Sequence, residues 1–334
     1  MFFSRKVITE DDLVDLYGKV ALVTGGNTGI GYATIEFLAR KGAKVYMASR
    51  NKEKAQKAIE EIEAELRKSD GEGESSKGSI HWLKLDLSDP RSVKEIGTEF
   101  LAKEERLDIL VNNASHTLNM SYSAAYGPFK LNKDGLLDIM VVNHISHFVI
   151  TETLLPLLKR TAALKDSDVS SAAHAGVKPE SFIGKESLNK QYGESVTGYI
   201  NTYGNSKLAN LLHIKNLQNR LNAESAGITC LALHPGTVMT EGSGDLLNSI
   251  PFIGWFLKTC IGPLVFVSWK QGAMTSAFAA AGKEVAAERK RYEGVYLVPM
   301  AKIAEPSSYA KDERLQRELY ETTVEVLEDI GVVF

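Results

Sequence analysis

The stretch VTGGNTGIGYAT, Val23 to Thr34, places Gly25, Gly29 and Gly31 within seven residues, between two segments of different periodicity. Before it, KVALV is a short β-branched apolar run, as a buried strand requires. After it, YATIEFLARKG repeats its apolar residues at helical spacing. A strand that turns through bare residues into a helix makes an anion site. Gly25 allows the tight turn, and Gly29 lets the backbone approach a pyrophosphate. Gly31 lets the helix pack near the strand, while the helix N-terminus attracts phosphate charge. The pattern predicts a dinucleotide-binding turn.

The rest of the chain repeats this alternation. AKVYMAS is followed by a charged helix, Lys52 to Lys68, and IHWLKLDL by a helix from Pro90 to Lys103. LDILVNNAS precedes a helix from about Gly135 to Arg160, and a long helix from Tyr199 to Ala223 precedes ITCLALHPG. Apolar strands alternating with helices predict an α/β fold: a single-domain Rossmann-type doubly wound parallel sheet with helices on both faces, spanning residues 1–334. Within it, 1–18 reads as an N-terminal extension, 241–270 as an apolar substrate lid and 300–334 as a C-terminal helical segment. The polar loop around Gly71 to Lys77 reads as a solvated connection.

Composition removes several function classes. With 39 basic and 42 acidic residues the formal net charge is −3 and no long basic run occurs, so no nucleic-acid partner is expected. Cys230 and Cys260 are far apart among apolar neighbours, read as inert buried thiols, and no metal site is expected. The first residues, MFFSRKVITEDDLVDLYGK, contain no continuous apolar stretch of signal-peptide type. The most apolar segment, Ile250 to Trp269, is broken by Pro251, Lys258 and Pro263, which argues against a simple spanning helix. A cytoplasmic protein is expected, with peripheral contact to an intracellular membrane as the alternative. A homodimer is compatible with the sequence.

Downstream motifs appear in a fixed order after the TGxxxGxG turn, and together they resemble the short-chain dehydrogenase/reductase family from about Lys19 to Thr240. These are LDL at Leu85 to Leu87, NNAS at Asn112 to Ser115, VNHISHF at Val142 to Phe148, SSAAH around Ser171, YGNSK at Tyr203 to Lys207, and HPGTVMT. NTGIG, VNHISHF and SKLANLL are most similar to the retinol-dehydrogenase-like members. The resemblance implies that Asn27, Ile30 and the three glycines hold the cofactor. It also implies that Asp86 contacts the adenine, that Asn113 lies on the cofactor, and that Val238 and Thr240 hold the nicotinamide amide. It makes Asn143, Ser171, Tyr203 and Lys207 the catalytic set. In NNAS, serine replaces the family's last glycine.

The residues support that assignment chemically. Carbonyl reduction needs a proton-transfer group beside the hydride carrier, and a nearby positive charge favours a phenolate. Tyr203 and Lys207 are four apart in a helical run, so they share a face, from which the lysine also reaches the cofactor ribose. Ser171 would bind the substrate oxygen, and the resemblance implies that Asn143 holds a water behind the lysine. His144, His147 and His174 match no ligand motif and read as packing or pocket lining. A G-x-S-x-G hydrolase elbow is absent from the sequence.

Two further features shape the expected function. Lys165, Asp166, Ser167 and Asp168, just before Ser171, are poor strand formers and predict a short or displaced strand. The alternative to an enzyme is therefore a non-catalytic NADP(H)-binding protein of the same fold. After the second strand, Ser49 stands where NAD selection requires a carboxylate, and Arg50 follows, which favours NADP(H) over NAD(H). The apolar 241–270 segment predicts a small apolar alcohol, aldehyde or ketone as substrate.

Overall fold

The computed structural model describes residues 7–69, 78–115, 130–162, 168–172, 177–236 and 268–334, with 168–172 described through their backbone. Val238, Thr240, His174, Cys260, the 71–77 loop and positions 241–267 of the expected lid lie outside the described residues. Among the described residues, eight strands form one sheet in the order β3-β2-β1-β4-β5-β6-β7-β8. They are β1 (Val20–Thr24), β2 (Lys44–Ser49), β3 (Ser79–Lys84), β4 (Ile109–Asn112), β5 (Asp168–Ala172), β6 (Thr229–Leu233), β7 (Tyr296–Val298) and β8 (Lys302–Ala304). All pairings up to β7 are parallel, and β8 closes the edge antiparallel.

Alternation along each strand divides the core into two layers. Val20 and Leu22 of β1 face one cluster, and Ala21 and Val23 face the other. Tyr46 and Ala48 of β2 are likewise separated from Val45 and Met47. The first cluster is completed by α3 (Pro90–Lys103), α4 (Asp138–Ala162), α5 (Val196–Ala223) and α7 (Glu313–Asp329). The second is completed by α1 (Gly29–Arg40), α2 (Lys52–Ser69) and α6 (Trp269–Ala281). Burial on both faces explains why β1, β4 and β6 read as mainly apolar runs. The strand order reverses between β1 and β4, so the ligand crevice of an open α/β sheet is expected at the carboxyl ends of these two strands.

The helix α4 is long and apolar enough to cross a membrane, but 83% of its most apolar window is buried inside the fold. Here it is a core helix.

Three expectations need correction. The run before Ser171 was expected to give a short or displaced strand. Instead β5 pairs on both sides: Ile109 to Asn112 align with Asp168 to Ser171, and Asp168 to Ala172 align with Thr229 to Leu233. The unfavourable residues Lys165, Asp166 and Ser167 precede β5. Residues 300–334 were expected to be helical. They begin with a hairpin strand, β8, before α7. The expected lid also ends earlier, because Ser268 caps α6, accepting from the Gln271 N–H at 3.2 Å, and residues 269–270 are already helical.

The β7–β8 hairpin turns at the carboxyl end of β7 through Met300 (φ +66°) and Ala301 (φ +49°). Two consecutive left-handed residues without glycine or asparagine cost roughly 1–2 kcal/mol each. Stability measured by urea denaturation should therefore rank Met300→Gly at or above wild type, by up to about 1 kcal/mol, and Met300→Val below it. A valine variant as stable as the glycine variant would contradict the turn geometry.

Candidate active site

The turn after β1 needs its glycines for separate reasons. Gly25 has φ +67°, and a Cβ there would lie 2.9 Å from Cα of Ala114. A Cβ on Gly31 would fall 2.5 Å from both the Asn113 side-chain nitrogen and the Gly25 carbonyl oxygen. Gly29 has φ +58°, and its Cβ position faces open space. The turn is therefore braced from behind and bare in front, with Asn27 and Ile30 partly buried along it. Thr28, the residue before α1, makes no side-chain capping bond. The first amides of α1 thus lack that partner and are suited to an anion.

The Asn113 side chain is part of the brace. Its Nδ2 donates to the carbonyls of Thr24 at 2.9 Å and Gly25 at 3.4 Å. At the end of β2, Ser49 is buried with an unpartnered Oγ, and Arg50 is exposed. A buried hydroxyl without a partner at this edge fits a ribose or its phosphate. Asp86, half-buried after β3, accepts from the Ser88 N–H at 2.9 Å. The adjacent Leu87 carbonyl accepts from Ser146 Oγ at 2.7 Å, which ties this loop to α4. The bare glycine turn, the uncapped helix start and the orphan Ser49 hydroxyl fit a dinucleotide.

On the other side of the switch point, α4 widens into a π turn at Val141–Ile145, closed by Ser146 N–H donating to the Val141 carbonyl. Asn143 lies in this turn, fully buried. Its Nδ2 donates to Ser206 Oγ at 2.9 Å, and Ser206 Oγ donates to the Tyr203 carbonyl at 2.7 Å. Ser115 Oγ donates to Asn143 Oδ1 at 3.4 Å. Tyr203 and Lys207 lie one turn apart on α5. The Lys207 Nζ is 5.4 Å from the Tyr203 ring centroid, and the lysine is 4% exposed. The Ser171 backbone is in register with Asn112 of β4 and Ala232 of β6, at the carboxyl end of β5. Asn143, Tyr203 and Lys207 are thus brought together, with Ser171 placed by its backbone on a strand that packs against α5.

Sequence reasoning missed Thr24, Ser115 and Ser206 and set His147 aside as packing or pocket lining. The available signal was spacing: His147 follows Asn143 by four, as Lys207 follows Tyr203. His147 lies 2.9 Å from Thr24 Oγ1 and 3.1 Å from the Asn143 carbonyl oxygen. Burial pushes His147 down to about 4, the Asn143 carbonyl raising it and the Lys207 charge lowering it further. Burial also pushes His213 down to about 3 and His144 well below its usual range. His144 packs edge-on against His213, with ring centroids 5.8 Å apart. Among the described residues no cluster of three or more His, Cys, Asp or Glu could hold a metal.

Comparison with known proteins identifies the family. Residues 19–173 match the family model for short chain dehydrogenase. A short-chain dehydrogenase/reductase of Armillaria gallica is 40% identical over 332 residues, covering 97% of each chain. Mouse retinol dehydrogenase 12 is 35% identical over 284 residues, covering 85% of this chain and 79% of that one. A Pseudomonas aeruginosa protein solved as a RhlG/NADP active-site complex superposes with a TM-score of 0.62 at 23% identity, covering 86% of this chain and 96% of that one. This last likeness is one of fold.

The buried histidines set a pH dependence. In the unfolded chain a histidine takes up a proton near pH 6.5, whereas the folded protein refuses it until about pH 4 at His147 and about pH 3 at His213. The depressed folded values mean that stability is full above about pH 6.5 and falls as the pH drops below it. The urea midpoint should decrease steadily from pH 7 to pH 5, a window above the carboxylate titrations. A flat profile there would contradict neutral burial of these rings.

Proposed function

The chain belongs to the short-chain dehydrogenase/reductase family, and from that premise we propose that it interconverts an apolar alcohol and its aldehyde or ketone with NADP(H), using Tyr203 as the proton donor in reduction. Membership makes it an NAD(P)-binding oxidoreductase of the retinol-dehydrogenase-like kind. The bound nicotinamide supplies or accepts the hydride. The observation that carries the mechanism is the pairing of half-buried Tyr203 with buried Lys207, one helical turn apart and braced through Ser206 to Asn143. A positioned hydroxyl whose ring is beside a buried ammonium is suited to deliver a proton to the developing alkoxide. Ser171, at the carboxyl end of β5, is in reach of the role of holding the substrate oxygen. The in-register pairing of β5 supports this over the non-catalytic reading, whose motive was a displaced strand.

Cofactor choice follows from the end of β2. No carboxylate stands at Ser49 to repel a 2′-phosphate, and the exposed guanidinium of Arg50 is free to pair with one. The apolar character of 241–267, outside the described residues, supports an apolar substrate.

Tyr203→Phe removes one hydroxyl and keeps the ring. It should lower carbonyl reduction by about 10²–10⁴-fold while leaving NADPH binding intact. Retained turnover would refute the mechanism. Ser171→Ala should show a comparable loss, and an unaffected rate would remove Ser171 from the site. NADPH should bind at least about tenfold more tightly than NADH by titration calorimetry, with Arg50→Ala narrowing the gap. Equal affinities in both proteins would overturn the NADP(H) assignment.

A further inference from the structure

Thr24 Oγ1 sits where β1 meets β4 and has three polar neighbours. It accepts from the backbone N–H of Asn113 at 3.0 Å and of Ala114 at 2.9 Å, and it lies 2.9 Å from Nε2 of His147. Two donors fill both acceptor sites of a hydroxyl. Its single hydrogen must then point at His147, so Nε2 is the bare, accepting nitrogen. The ring proton is consequently on Nδ1, which lies 3.1 Å from the carbonyl oxygen of Asn143, a group that can only accept. Both contacts demand the same tautomer of a neutral imidazole. His147 is 3% exposed, and burial keeps it neutral down to about pH 4.

The bonds run on in one direction. Asn143 Nδ2 donates to Ser206, and Ser206 donates to the carbonyl of Tyr203. The bonded groups lead from the amides behind the cofactor turn, through Thr24, His147 and Asn143, to the backbone of the proton donor. We propose that His147 is a positioning residue: it holds the widened turn of α4 against the cofactor turn, and so sets where Tyr203 stands relative to the nicotinamide. This rests on the reading of Tyr203 as proton donor. His147 acts through Thr24 and Asn143 and exchanges no proton in the reaction. Misplacement of reacting groups by about 1 Å can cost on the order of 10²-fold in rate, so a brace of this kind is visible in kcat.

The test compares two variants of the full chain. His147→Phe keeps an aromatic ring and loses both bonds. His147→Gln places an amide oxygen near the Nε2 position and can restore the bond from the Thr24 hydroxyl. With a carbonyl substrate that the wild type reduces, His147→Phe should lower kcat by roughly 10–100-fold. KM for NADPH should stay within about threefold, because the turn keeps its Asn113 and glycine braces, and His147→Gln should recover most of the loss. A Phe variant with wild-type kcat would overturn the proposal, as would a Gln variant no better than Phe. Should the Phe variant fail to fold, nitrogen NMR of the histidine-labelled wild type decides, with the His147 signal assigned by its loss in His147→Gln. A protonated Nδ1 and bare Nε2, unchanged from pH 7.5 to pH 5, are expected; the opposite tautomer refutes the brace. A wild type that binds NADPH but reduces no apolar carbonyl would overturn the proposed function itself, and the positioning role would fall with it.

Discussion

The Thr24 hydroxyl is the junction on which the site depends. It sits at the end of β1, where the sheet order reverses, and its bonds satisfy two amides of the β4 turn while reaching α4 through His147. Each bond is modest alone, near 1 kcal/mol net, but removing one partner would leave a buried polar group unsatisfied, which costs more. The glycine turn, the Asn113 brace and the π turn of α4 all meet around this oxygen. That arrangement lets a bare, open turn in front coexist with a rigid back wall, as a cofactor site requires.

The site divides sharply between what is buried and what faces outward. Asn143, His147, Ser206 and Lys207 are buried, and Tyr203 is half-buried. Gly29 and Arg50, which would meet the phosphates, are exposed. Groups that fix geometry are shielded from water, where hydrogen bonds are stronger, and groups that meet a large charged ligand remain reachable. Among the described residues Lys207 is the one buried lysine, and burying an ammonium is costly unless the fold uses it. In the proposed mechanism its position beside the Tyr203 ring gives that use.

The fold was legible because both faces of the sheet are covered. β1, β4 and β6 are buried on both faces and so are apolar but for one buried polar residue each, and such runs separated by amphipathic helices admit few architectures. Tyr203 and Lys207 were legible because a helical spacing of four brings them together by local geometry alone. What escaped depends on distant partners. His147 looked like packing or pocket lining because its hydroxyl partner is Thr24, 123 residues away. β5 looked doubtful because strand propensity ignores the pairing that β4 and β6 supply on either side. β8 was invisible because it has three residues, and its turn uses Met300 and Ala301 where glycine or asparagine would have marked it.

The most direct test of this account is a crystal structure of the protein with NADPH bound. The account predicts the pyrophosphate over the first amides of α1 at Gly29 to Gly31, and the Tyr203 hydroxyl facing the nicotinamide. It also predicts that the Thr24–His147–Asn143 contacts remain intact. A pyrophosphate bound elsewhere, or a His147 ring turned away from Thr24 while Tyr203 still faces the nicotinamide, would contradict it.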